Sequence, residues 1–457
     1  MIMSELIQNQ ETTLKRSLSL PLVIMFGLAY LAPTVVFNYY GIFTPSTGGM
    51  YALSLVLTTI VMIFTALSYR QMVKAYPMAG SAYTYVNKSV QPHVGFISGW
   101  LMLLDYLLLP MICYLLLGVY INEYFPNIPV WVSVVVIALI GMIINIVGIK
   151  TASIIDTVIT CAAIGFTILF IMLVIRYVMN GGGSGTLTDG KAFYNPDTFE
   201  TKNILAASAI LCASFLGFDA VTTLAEETKS PEKVMGKAIM GVVIGAGIVF
   251  VIVAYFAQIA WPEAYLNIEN PNAGIFELFP RINPWVGNVF FIVDNCGSFV
   301  CAMAGMGAVS RILYGMGRDN ILPKSFFGQL SKRFKTPVNN IVLTTLVALT
   351  AVFYSDNLFG AASLVAFGAV CGFFMVNLSV VFHYYIKRKQ RSGSGIFHYL
   401  IAPIIGMCSL IVVFIYMDSS AKILGLIWLI IGLVYLAIKT KFFKELPPEM
   451  TLDDNSL

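Results

Sequence analysis

The stretch from Ile204 to Leu224 reads ILAASAILCASFLGFDAVTTL. About 20 apolar residues suffice to cross a bilayer as a helix, so this run is long enough to span. Yet Gly217 interrupts it, and Asp219 sets a carboxylate in its middle. A charge at that depth is costly in hydrocarbon; such an acid normally faces a protein interior or a watery cavity and marks a route for ions or substrate. A broken helix is tolerated there only where the freed backbone groups find other partners. Working outward, the first apolar segment is interrupted too, at Pro33, and carries Asn38. Two broken segments in corresponding positions of two halves are how many secondary transporters build a midplane binding site.

Composition agrees with lipid as the solvent. The chain is 58% hydrophobic and 11% charged, against roughly 25% charged in a soluble domain. The apolar runs predict an all-α integral membrane protein of twelve transmembrane helices, at 20–43, 50–72, 94–122, 129–148, 152–178, 203–225, 237–260, 285–312, 337–355, 359–385, 398–417 and 421–438. With the amino terminus inside, 22 of the 27 lysines and arginines fall on the cytoplasmic side. Only Arg176, Lys191, Lys202, Arg281 and Lys422 fall outside. The positive-inside rule requires this asymmetry, and losing or adding a span would scramble it. The expectation is a multi-pass protein of the cell membrane with both termini cytoplasmic. The net charge of +4 reflects these loops and gives no reason to expect nucleic acid.

The organisation follows from the spans. A cytoplasmic tail (1–19) precedes a first five-helix repeat (20–178) and an extracellular loop (179–202). A second repeat of inverted orientation (203–385), helices 11 and 12 (386–438) and a cytoplasmic tail (439–457) complete the chain. Helices 1 and 6 are discontinuous, and the last two helices are peripheral because they carry few polar groups. The run Gly181 to Gly185 makes the 179–202 loop a flexible segment by composition. The amphipathic stretch Tyr76 to His93 is expected to lie along the inner face. All seven cysteines lie in apolar spans without metal or disulfide spacing. His93, His383 and His398 show no metal-binding spacing either. No cofactor, metal or catalytic residue is expected.

Candidate site residues cluster at the breaks. Asp219 either caps the second half-helix, where a carboxylate is favoured, or meets the substrate, or does both. Asp105, followed by Tyr106, lies about 16 Å into the third span at 1.5 Å per residue, near midplane. It is either a functional acid or the acceptor of a structural hydrogen bond. Asp294 is a second acid at cavity depth, in the eighth span. Phe215 and Phe218 flank the sixth-span break and could offer their faces to an ammonium. Ala32, Pro33 and Thr34 form the first-span break. Glu226 and Glu227, at the end of the sixth span, are gate or coupling candidates if they are not simply solvated beside Lys229.

The stretch Ser214 to Thr228, SFLGFDAVTTLAEET, resembles the most recognisable motif of the amino acid–polyamine–organocation superfamily of secondary transporters. Pro77-Met-Ala-Gly-Ser-Ala-Tyr-Thr-Tyr85, continuing to Gly95-Phe-Ile-Ser-Gly-Trp100, is similar to a second. Ser310-Arg-Ile-Leu-Tyr-Gly-Met-Gly-Arg-Asp319 is similar to a third. Within that superfamily the chain looks most like bacterial putrescine importers, through Gly27-Leu-Ala-Tyr-Leu31, Leu103-Leu-Asp-Tyr106 and Gly217-Phe-Asp-Ala-Val221. The resemblance implies a carrier working by alternating access. The chain departs from it at Asn38, where those importers carry an acid, and at Ala163, where cationic amino acid members carry a lysine in place of a sodium ion. Asp294 is the residue expected to restore the charge absent at Asn38.

Physics speaks to substrate class separately. An α-amino acid needs donors for its carboxylate, and the first-span break LAPTVVFN (Leu31 to Asn38) lacks glycine and loses one donor to Pro33. Acids without an evident basic partner favour a cationic ligand. The expected activity is import of putrescine or a related cationic amine, with protons as the candidate coupling ion. The alternatives are an amino acid permease or an exchanger of the agmatine/putrescine type.

Overall fold

The computed structural model describes residues 18–77, 81–147, 152–226, 228–318, 320–334 and 336–447. Both tails beyond these limits and Glu227 lie outside the described residues. Among them the chain is all-helical, with one isolated bridge, between Leu18 and Thr228. Among the described residues ten helices are long and apolar enough to cross a membrane, and Val338–Tyr354 is a shorter apolar one. With the broken first segment these make the twelve expected spans, and the protein is a multi-pass membrane protein.

The first span is built in pieces, Leu20–Tyr30, Val35–Asn38 and Tyr40–Ser46. The sixth starts as an α-helix, Thr201–Ile210, tightens into the 3-10 turn Leu211–Phe215, breaks, and resumes as Phe218–Glu226. The third span, Pro92–Tyr124, and the eighth, Val286–Arg318, are 33 residues each. The third begins with proline at its first position, where the missing N–H would be unpaired anyway. It is largely buried and packs on the tenth span, Leu358–Val380. Other spans turn large apolar side chains outward, among them Ile143, Val158, Ile292 and Ile430, as a lipid-facing surface requires.

The amphipathic stretch forms a helix, Ser81–Ser89, that is mostly buried against the third span. Its Ser, Ala and Thr residues are small enough to fit between spans, and its tyrosines fill the remaining space. The glycine-rich 179–202 loop is hydrogen-bonded to its surroundings. Ser184 N donates to Ile259 O at 2.9 Å, Tyr255 Oη to Leu187 O at 2.7 Å and Thr198 Oγ1 to Gly48 O at 2.8 Å. The eleventh and twelfth spans are mostly exposed, and the twelfth, Ser419–Lys439, is bolted to the third. Trp100 Nε1 donates to Trp428 O at 3.0 Å and Trp428 Nε1 donates to Trp100 O at 2.8 Å.

The short helix Ile275–Ile282 lays Phe276 and Phe279 onto Tyr120, Phe37 and Phe290. The cluster thus packs on Phe37 of the broken first span.

Candidate functional site at the two broken helices

Each break turns on one left-handed residue. In the sixth span it is Gly217, at φ +99°, a conformation open to glycine at no steric cost. In the first it is Ala32, at φ +49°, where a Cβ makes the same turn strained. Within the first break, Val35 N donates to Ala32 O and Phe37 N to Thr34 O, both at 2.9 Å. Two of its amides are thereby used internally, and Pro33 has none to offer.

Asp219 stands at the start of the second half of the sixth span and is 6% exposed. The amides of Gly217, Asp219 and Ala220 point at its carboxylate as donors, and Ser81 Oγ donates to Oδ2 at 3.5 Å. Thr222 Oγ1 donates to the Asp219 carbonyl at 2.6 Å. The carboxylate is turned into the molecule, among backbone and hydroxyl donors. Its charge acts on Asp105 of the third span. Asp105 lies against Gly368 of the tenth span, so closely that a methyl group there would sit 2.9 Å from the Asp105 amide nitrogen. Tyr69 lies among Asp219, Ser81, Tyr85 and Tyr106, which places Tyr106 in the same neighbourhood. Among the described residues no lysine or arginine contributes to the surroundings of Asp105, Asp219 or Asp294.

Asp294 belongs to the other break. It is 2% exposed, and the side chains of Thr34 and Asn38 hydrogen-bond to its carboxyl. Asn38 in turn accepts from Tyr120 Oη at 2.8 Å. Phe218 is fully buried, edge-on to Tyr69 at 5.2 Å and beside Phe373 at 5.1 Å. Phe215 packs onto Phe250 of the seventh span at 5.4 Å. Glu226 ends the resumed helix.

The structure thus gathers Asp105, Tyr106, Gly217, Phe218 and Asp219 at one break, and Ala32, Pro33, Thr34, Asn38 and Asp294 at the other. Sequence reasoning had Ser81 and Tyr85 only inside the 77–85 motif and missed Tyr69 and Tyr120. One signal existed for the last of these. Tyr106, Cys113 and Tyr120 recur two helical turns apart and so share a face of the third span with the region of Asp105.

Residues 22–445 match the amino acid permease family. The chain is 36% identical to the low-affinity putrescine importer PlaP of Escherichia coli (strain K12) over 441 residues, covering 95% of this chain and 96% of that protein. It is 25% identical to the methylthioribose transporter of Bacillus subtilis (strain 168), covering 95% of each. The branched-chain amino acid permease BcaP of the same organism is 24% identical, covering 93% of each.

Proposed function

The chain belongs to the amino acid permease family and is a membrane transporter; from that premise we propose that it imports putrescine or a similar small amine by alternating access. The observation that carries this reading is a set of three acids, Asp219 and Asp294 buried and Asp105 half-buried, with no basic side chain beside them among the described residues. Buried carboxylates are costly unless a cation meets them, and an ammonium leaving water needs the same partner. The first-span break favours an amine over an α-amino acid. Its amides at Val35 and Phe37 are already hydrogen-bonded, which leaves few donors for a substrate carboxylate. Similarity to a protein named as a putrescine importer over nearly the whole chain supports the same substrate class.

In this reading the two breaks are related elements of two inverted five-helix repeats, and one repeat rocks against the other around the acids. The protein sits in the cell membrane with the basic loops inside, and no catalysis is assigned to it. Protons are the candidate coupling ion, carried by the Asp105–Asp219 pair. An inside-negative potential draws a divalent amine inward, with roughly 4.6 kcal/mol available for two charges at 100 mV, from ~2.3 per charge.

The test is uptake of radiolabelled putrescine into proteoliposomes with and without an imposed inside-negative potential. Potential-accelerated uptake is expected. Uptake of a neutral amino acid, competed only weakly by diamines, would replace the amine reading with an amino acid permease.

A further inference from the structure

We propose that Asp294 is a second ammonium-binding group, separate from the Asp105–Asp219 pair, and that it makes the site select amines with two positive charges over amines with one. The inference rests on the amine-import reading above and names the group that would set its specificity.

Three observations carry it. Asp294 enters from the eighth span and is 2% exposed, and its Oδ2 is buried with no hydrogen-bond partner among the described residues. The carboxylate therefore keeps an acceptor in reserve. Its existing partners, Thr34 and Asn38, are neutral donors on the broken first span. Asn38 has its own carbonyl oxygen occupied by Tyr120 Oη at 2.8 Å, which leaves its NH2 as the group to offer Asp294. Neutral donors orient a carboxylate without cancelling its charge, whereas a lysine or arginine would have done both. Position is the third observation. The charge of Asp294 acts on Cys113 and Tyr120, and that of Asp219 acts on Asp105. Cys113 and Tyr120 stand two or more helical turns further along the third span than Asp105. The molecule thus holds two negative centres at different depths, one at each broken helix. A monoamine satisfies one of them; a flexible diamine offers a cation to each.

The experiment measures competition for residual putrescine uptake in proteoliposomes by unlabelled putrescine and by butylamine. Where a variant's uptake is too slow, thermal stabilisation of the purified protein by the same two amines takes its place. Wild type should favour putrescine. In Asp294→Asn the concentration of putrescine needed should rise roughly thirtyfold, as when one member of a buried charge pair is removed, while that of butylamine stays put. The double variant Asn38→Asp/Asp294→Asn moves the carboxylate to the other side of the same hydrogen bond. It should regain the preference, which a merely structural Asp294 could not do. Unchanged preference in Asp294→Asn, equal weakening of both amines, or no rescue by the double variant would overturn the proposal. A wild type that binds neither amine would instead sink the amine reading itself.

Discussion

In the proposed reading the Asp219 carboxylate has two tasks, and they are separable by substitution. Its cap of the resumed helix needs only an acceptor, and asparagine caps about as well as aspartate. Its meeting with a cation needs the charge. Asp219→Asn should therefore reach the membrane in normal amount, melt close to wild type and fail to take up amine; Asp105→Asn should behave alike. Wild-type uptake by either variant, measured at matched expression, would assign that residue to structure. The three acids were legible in the sequence because a charge inside an apolar run is expensive and so never incidental. Tyr69 and Tyr120 were not, because tyrosine is unremarkable in any helix and only tertiary packing turns them toward Asp219 and Asn38.

The breaks show where local rules stop informing. Pro33 and Gly217 announced both interruptions, since proline removes a donor and glycine permits a positive φ. The residue that makes the first-span turn is nonetheless Ala32, at φ +49°, and nothing in alanine signals this. Its left-handed geometry costs roughly 1–2 kcal/mol. Ala32→Gly should thus raise or preserve the melting temperature of the purified protein, while Ala32→Val, β-branched at the same φ, should lower it. A destabilising glycine alongside a tolerated valine would contradict the turn. The helix Ser81–Ser89 teaches a related lesson. Its amphipathic pattern was readable, but a pattern names a polar face without saying what that face meets. Here it meets Asp219 and its neighbours rather than water.

Across the whole molecule, twelve spans could be read from hydropathy and charge because lipid forces every backbone group into an intrahelical bond. How the spans are fastened could not. The twelfth is held to the third by the reciprocal Trp100 and Trp428 bonds, with rings stacked at 4.7 Å. Trp428→Phe keeps an aromatic ring in the stack, though a smaller one, and removes one donor. It should cost about 1 kcal/mol, visible as a lower melting temperature in detergent, with uptake in liposomes little changed; a large loss of uptake would mean that the twelfth span takes part in transport. The third and eighth spans carry a different consequence. At 33 residues each they are about 50 Å long, well beyond a hydrocarbon layer of about 30 Å, and so must lean or emerge from it. Asp105 rides on one and Asp294 on the other. Shorter or longer acyl tails change the lean and slide the two acids past each other like marks on the blades of a pair of scissors. Turnover in vesicles made from a series of phosphatidylcholines should therefore peak at one tail length and fall on either side, making the thickness of the surrounding lipid a setting of the carrier as well as its solvent.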